Sequence, residues 1–225
     1  MVYKLLNKHY DEYFNMDFKD ELDNFYKLTF NDVEKATNVA GDAFQDDPTA
    51  ILTYPDEQER KKYLHYGFVM IYRYGIKNGV TYATSRNFEG IIIWLPPDKI
   101  YQSFWTMMRY GGFYTMRKVG LKLKAMKRSM TVFGRIESLH KELVPYKHWY
   151  LQNIAVNPKE QGKGYGGQLL KPMIEKIDNE GLPIYLETNN ERNLSFYQNH
   201  GFEIIKHEII PNTDVPVWCL LRKPS

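Results

Sequence analysis

The apolar positions of this chain switch between two periods, and the switches mark its elements. "FYKLTF", Phe25 to Phe30, reads as a strand. "NDVEKATNVAGDAF" then places Val33, Ala36, Val39, Ala40 and Phe44 on one helical face. Asn31 can cap that helix, with Glu34 three residues on to complete a capping box. "DDP", Asp46 to Pro48, ends it, and a second helix is expected from about Glu57 to Tyr74. "GVTYATS" and "GIIIWLP" predict two strands, each opened by a glycine, with Pro96 and Pro97 stopping the second. Residues 98–143 have helical spacing broken by Gly111 and Gly112, which predicts two or three helices. A strand from His148 to Val156 follows, then a glycine-rich loop and a helix to about Glu180. The chain closes with a strand "LPIYLET", a helix "ERNLSFYQNH", and strands "FEIIKHEII" and "VPVWCLLR". Mixed strands and helices throughout imply an α/β or α+β fold on one continuous sheet.

Residues 1–24 are polar with scattered aromatics and read as a partly helical N-terminal extension; residues 25–225 read as a single domain. A hydrophobic fraction of 43% supplies an ample core. Cys219 is the single cysteine, so an intrachain disulfide and a CxxC metal site are both excluded, and no metal site is expected. No segment approaches the ~18 apolar residues of a membrane span, and the N-terminus lacks a signal-peptide apolar run. The net charge of +3 is too mild to suggest nucleic acid or an anionic membrane. These features predict a soluble cytoplasmic protein with neither kind of partner.

The unusual stretch is "IAVNPKEQGKGYGGQLL", in which Gly162, Gly164, Gly166 and Gly167 fall where a strand hands over to a helix. A helix N-terminus offers unpaired N–H groups and partial positive charge, so it attracts phosphate. Glycines keep side chains out of the way and permit positive φ. An ATP-type loop fails, because Gln168 and Leu169 stand where its lysine and hydroxyl should be. The dinucleotide pattern GxGxxG matches at Gly162, Gly164 and Gly167, with Glu187 as its acid. Yet "NPKEQ" separates the strand from the first glycine, and too little chain follows Glu187 for the remaining parallel units.

The third pattern is Q-x-x-G-x-G, at Gln161, Gly164 and Gly166. Together with "HWYLQNIAVNPKEQGKGYGGQLL", "YLETNNERNLSFYQNHGF" and "AFQDDPTAIL", it resembles the GCN5-related N-acetyltransferase (GNAT) superfamily, in the branch of puromycin N-acetyltransferase. The close match covers about residues 144–222. The resemblance implies the acyl-CoA N-acyltransferase fold: a mixed, largely antiparallel sheet splayed before the CoA loop, helices on both faces, and here a helical insertion at about 98–143. It implies acetyl-CoA as cosubstrate and transfer of acetyl to a primary amine of a small molecule in a ternary complex. Its diphosphate would sit on Gln161, Gly162, Lys163, Gly164, Tyr165, Gly166 and Gly167. Its pantetheine arm would pair with Ile154, Ala155 and Val156, with Asn193 beside it. Oligomeric state is left open.

By the same resemblance Tyr197 matches the general acid that protonates the departing thiolate. A phenol with an ordinary pKa of ~10 can donate without being ionised at neutral pH. The strand before the loop has no Asp or Glu from Tyr146 to Asn157, so a glutamate base on that strand is not expected. Glu187 at the end of the next strand is the best candidate, with a capping or solvated carboxylate as its alternative, and an amine that arrives neutral needs no base. His148, acting through water, ranks below it. Asp46 and Asp47 could attract an ammonium group or simply end a helix; the second is favoured. Trp94, Trp105, Tyr110 and Trp149 could line a cleft or be packed. The basic run from Arg117 to Arg128 interleaves with apolar residues and reads as a solvated helix over a core. One helical proline, Pro172, is expected to kink its helix. Two rival readings stay open: a CoA-binding sensor that has lost transfer, and an acetyltransferase of protein N-termini or lysines.

Overall fold

The computed structural model describes residue 22, residues 24–120 and residues 122–225. The expected N-terminal extension therefore lies almost wholly outside the described residues. Seven strands form one sheet: β1 (Tyr26–Lys27), β2 (Val80–Ala83), β3 (Gly90–Leu95), β4 (Trp149–Val156), β5 (Ile184–Thr188), β6 (Glu203–Ile209) and β7 (Pro216–Arg222). Their order is β1-β2-β3-β4-β5-β7-β6. Every pairing is antiparallel except β4 with β5.

The helices are α1 (Val33–Ala43), α2 (Pro48–Thr53), α3 (Glu57–Asn78), α4 (Phe104–Met107), α5 (Phe113–Val119), α6 (Leu123–Leu143), α7 (Tyr165–Asn179) and α8 (Leu194–Gln198). They cover both faces. On one, Leu169, Leu170, Met173 and Ile177 of α7 pack on Ile92, Leu151 and Leu186. On the other, Ala36 and Ala40 of α1 and Tyr72 of α3 pack on Ile91, Ile93 and Ala155. Val132 and Leu139 of α6 cover Tyr185, Val217 and Cys219 beside them. The alternation of β3 explains why it is buried along its whole length: both of its faces meet helices.

Three expectations about the N-terminal third are corrected. The first strand is two residues, not six, because the chain turns into a short 3-10 segment, Phe30–Asp32. The capping pair is Thr29 and Asp32, not Asn31 and Glu34: Asp32 Oδ2 accepts from the Thr29 N–H at 2.7 Å and from its hydroxyl at 2.6 Å. The "DDP" turn also opens an unforeseen helix, α2, where Asp47 Oδ1 accepts from the Thr49 N–H at 2.8 Å and Pro48 occupies the first turn. The second long helix continues past Tyr74 to Asn78, ending at Gly79.

The insertion forms the three helices α4, α5 and α6. A wide turn, Met108–Gly112, joins the first two, with Gly111 at φ 142°. A Cβ there would lie 3.0 Å from Val69 of α3, so both conformation and contact ask for glycine. α7 keeps its helical run from Tyr165 to Asn179 through Pro172. The helix is pinned on both sides of the proline by buried Leu169, Leu170, Met173 and Ile174, and the Tyr82 hydroxyl donates to the Leu169 carbonyl at 2.5 Å.

Candidate active site

β4 pairs with β3 along nearly all its length, from Gly90↔Val156 to Leu95↔Tyr150. With β5 it pairs only at Trp149↔Ile184 and Tyr150↔Tyr185. Beyond Tyr150 the two strands diverge, so the β5-facing edge of Leu151–Val156 has no strand partner among the described residues. This is the expected splay. A bulge adds to it: Ile93 opposes Asn153 while Trp94 opposes Leu151, which leaves Gln152 as the extra residue. Ile154, Ala155 and Val156 thus lie on a strand with one paired edge and one edge facing a gap. An extended amide-bearing ligand can add there as a strand.

The loop after β4 is built in steps. Asn157 Oδ1 accepts from the Lys159 N–H at 3.1 Å and caps a 3-10 turn, Pro158–Glu160. The Gln161 amide reaches back to the Val156 carbonyl at 3.2 Å, tying the loop to the strand end. Gly162 and Gly164 have φ of 79° and 85°, and a Cβ on either would meet nothing within 4 Å. Their glycines therefore serve backbone conformation and an open approach. Gly166 and Gly167 serve packing as well: a Cβ on Gly166 would be 3.1 Å from the Phe196 ring, and one on Gly167 3.4 Å from His200. Gly164 precedes α7 with no side-chain cap, and the first intrahelical bond is Gln168 N–H to Gly164 carbonyl. The N–H groups of Tyr165, Gly166 and Gly167 therefore have no helical acceptor and present an anion site. Lys163 pairs with Glu160 at 2.8 Å beside it.

Tyr197 of α8 is buried against Phe202 and the core that includes Leu151 and Leu186. Burial alone raises its phenol well above the ordinary range, so it is a proton donor at any physiological pH. Phe196 beside it lies against the Gly166 turn, where a Cβ would come within 3.1 Å of its ring. Asn193, four residues before Tyr197, donates to Thr188 Oγ1 at 3.2 Å and thereby fixes the end of β5 to the start of α8.

On the opposite face of the sheet, Glu187 shares the side of β5 that carries Tyr185, packed with α6. Its side chain is 5% exposed, and Oε1 lies 3.5 Å from His140 Nδ1 of α6. Burial pushes the Glu187 carboxyl up to about 7, and the Tyr150 and Tyr185 hydroxyls offset that only in part. His140 in turn meets His148, Nε2 to Nε2, at 2.7 Å. His148 Nδ1 lies 2.6 Å from the Tyr146 carbonyl. Partners fix the tautomers. A carbonyl only accepts, so His148 Nδ1 carries the proton and its Nε2 is a lone pair. His140 Nε2–H then donates to it, and His140 Nδ1 is left as a lone pair facing Glu187. Burial holds His140 down to about 3, with His148 and Lys141 adding to the shift, and burial lowers His148 too. Glu187 Oε1 faces that lone pair at 3.5 Å and has no hydrogen-bond partner among the described residues, so a proton on the carboxyl suits this end of the chain better than a charge does.

Of the other residues singled out, Asp47 caps α2, and burial raises its carboxyl. Of the four aromatics, packing rather than a cleft accounts for three: Trp94 and Trp149 are buried in the core and Tyr110 packs on Tyr74, while Trp105 is exposed. His140, Tyr150 and Tyr185 escaped the sequence reading. Alternation on β5 puts Tyr185 beside Glu187, and the parallel register then brings in Tyr150; His140 arrives from 47 positions away with no local signal. Among the described residues, no group of three His, Cys, Asp or Glu is placed to hold a metal ion. None of the described helices is long and apolar enough to cross a membrane.

The comparisons with known proteins agree with this geometry. The profile of the Acetyltransferase (GNAT) family matches residues 117–202. An uncharacterized N-acetyltransferase of Schizosaccharomyces pombe is 32% identical over 208 residues, covering 88% of this chain and 83% of that one. Among solved structures, the histone acetyltransferase HPA2 and related acetyltransferase of Corynebacterium glutamicum superposes with a TM-score of 0.58 at 20% identity, over 90% of this chain and 96% of that one. Arylalkylamine N-acetyltransferase 2 of Aedes aegypti gives 0.54 at 10% identity, over 89% and 98%. These two structures speak to fold alone. With the relative from fission yeast matching across most of both chains, the splayed strand and the glycine loop belong to an N-acetyltransferase, and this chain belongs to the GNAT acetyltransferase family.

Proposed function

We propose that residues 25–225 form one domain that transfers acetyl from acetyl-CoA to a primary amine of a small molecule, by direct attack in a ternary complex. GNAT enzymes use acetyl-CoA as cosubstrate, which supplies the activated thioester. The observation that carries the reading is the gap beside β4. Tyr197 is buried on one face of the sheet and Glu187 shares the other face with Tyr185, which supports placing acid and base on either side of it. The loop from Gln161 to Gly167 would hold the diphosphate, with Lys163 beside it. The free edge at Ile154–Val156 would pair with the pantetheine amides, and Asn193 would face the same arm. A backbone N–H of that edge would stabilise the oxyanion, a contribution often worth a few kcal/mol.

The chemistry balances across the sheet. Glu187 takes a proton from the ammonium, and the freed nitrogen attacks the thioester carbonyl. The C–N bond forms, the C–S bond breaks, and Tyr197 protonates the thiolate. Burial holds the Glu187 carboxyl up near 7, with the His140 lone pair facing it, so the carboxyl can trade protons near neutrality. This tuning favours an enzyme over a CoA sensor, which needs neither an acid nor a base. The structural neighbours include enzymes named for arylalkylamine and agmatine, which makes a small amine the first class to try.

The test pairs two measurements. Calorimetry should show acetyl-CoA binding, and a panel of small amines should give amine-dependent release of free thiol. Tyr197→Phe and Glu187→Gln should keep the first and lose most of the second. Tight binding with no thiol release from any amine would give the case to the sensor. Release driven only by peptides would give it to the protein acetyltransferase.

A further inference from the structure

From Lys99 to Ile136 the chain carries nine of its 30 lysines and arginines and none of its 27 acidic residues. The mild overall charge conceals this, because the remainder of the chain is net acidic. The same stretch holds most of the apolar surface. Eight large apolar side chains in the described chain are more than half exposed, and six are Phe104, Trp105, Phe113, Leu123, Met130 and Phe133.

The insertion has two distinct sides. Its inner side is anchored: the Thr115 hydroxyl donates to the Tyr66 carbonyl at 2.9 Å, Ser129 meets Thr53 at 3.2 Å, and Lys122 pairs with Glu59. Along α6, Ala125, Val132 and Leu139 are buried, while Leu123, Met126, Met130 and Phe133 recur three and four apart as an exposed stripe. Arg109, Arg117, Lys118, Lys124, Lys127 and Arg128 form no ion pair with a described acidic residue. A basic helix with a separate exposed apolar stripe is the pattern of an interfacial segment, not of a span.

We propose that the outer side of the 99–136 insertion docks on an anionic lipid surface. Charge selects the occupant. A second copy would bring cations against cations, and nucleic acid would leave the phenylalanines, leucine and methionine without an apolar environment. Anionic lipid satisfies both: headgroups pair with the lysines and arginines while Trp105 and its neighbours enter the acyl boundary. The expectation that this protein has no membrane partner followed from chain-wide charge and the lack of a span, and neither measures a local interfacial surface.

Trp105 is its own reporter, being 73% exposed, whereas Trp94, Trp149 and Trp218 are 0%, 3% and 8% exposed. The full chain is mixed with vesicles of phosphatidylcholine, with or without about one third phosphatidylserine. With the anionic vesicles the protein should float, its tryptophan emission should move to shorter wavelength, and acrylamide quenching should fall. Neutral vesicles, or the pair Lys124→Glu with Lys127→Glu, should bind about tenfold more weakly. That pair should leave the far-ultraviolet circular dichroism and the urea midpoint unchanged, which shows the variant is folded. Failure to float with anionic vesicles overturns the proposal, as does equal binding to neutral ones. So does a Trp105 already shielded from acrylamide before vesicles are added. In that case a doubled sedimentation mass identifies a second copy as the cover, and a single mass identifies another part of this chain. Uptake of duplex oligonucleotide in place of vesicles overturns it as well. None of these readouts depends on which amine the enzyme acetylates.

Discussion

A carboxyl buried beside the lone pair of a neutral imidazole has reason to hold a proton, and Glu187 is in that position. As the proposed base, it must be ionised to act. The rate should therefore rise with pH through the range near 7 where it loses its proton. Glu187→Gln should lower kcat/KM by about 10²–10⁴-fold, the usual contribution of a general base, and should abolish that acidic limb. A limb that persists in the glutamine variant assigns the ionisation to another group. The glycines divide in a comparable way. Gly164→Ala puts a Cβ on a left-handed residue at φ 85°, with a strain of roughly 1–2 kcal/mol. It should raise KM for acetyl-CoA more than it lowers kcat. Gly166→Ala presses on Phe196, the neighbour of Tyr197, so its effect should fall mainly on kcat. Equal effects of both variants on KM would mean that all the glycines serve the anion site alike.

At the scale of elements, α7 is the test of how much local preference yields to packing. Pro172 removes the N–H that would bond the Gln168 carbonyl, yet the helix continues to Asn179 over a buried row of Leu169, Leu170, Met173, Ile174 and Ile177. Relieving that conflict should help. Pro172→Ala is expected to stabilise the fold by about 1–2 kcal/mol, part of the usual cost of a helical proline, read as a higher urea midpoint at unchanged slope. The same contest explains what the sequence made legible. The strand–loop–helix run from β4 to α7 could be read because its signals are local: alternation, then glycines, then a helical face. The splay could be foreseen only by resemblance, since nothing within β4 says that β5 leaves it after two pairs. Thr29 and Asp32 were missed because Asn31 and Glu34 offer the same capping pattern two residues later, and only the start of the 3-10 turn decides between them. His140 could not be placed at all. Its role depends on α6 crossing over β5, a contact that no sequence period encodes.

For the molecule as a whole, the buried pair makes stability depend on pH in a way that can be separated from catalysis. The Glu187 carboxyl ionises near 4.5 in the unfolded chain and near 7 in the folded one. Between those values the folded state binds the extra proton, so stability falls as pH rises, and the loss is complete above about 7. His140 runs the other way. Its ring gains a proton near 6.5 when unfolded and near 3 when folded, so stability falls as pH drops below about 6.5. From 4.5 to 6.5 the Glu187 slope opposes those of His140 and His148, so the wild-type chain should weaken less steeply there than it does in stronger acid. Glu187→Gln removes one slope and leaves the other groups in place. The difference in unfolding free energy between variant and wild type should be flat below about 4.5 and grow in favour of glutamine up to about 7. Its size should be roughly 3–4 kcal/mol, from 1.36 kcal/mol per pKa unit. Urea unfolding of both proteins at pH 4, 5, 6, 7 and 8 measures it directly. The inactive variant should be the more stable protein at pH 8; a difference that stays constant across the series would mean that Glu187 is ionised in the folded state and that the histidine chain does not hold its proton.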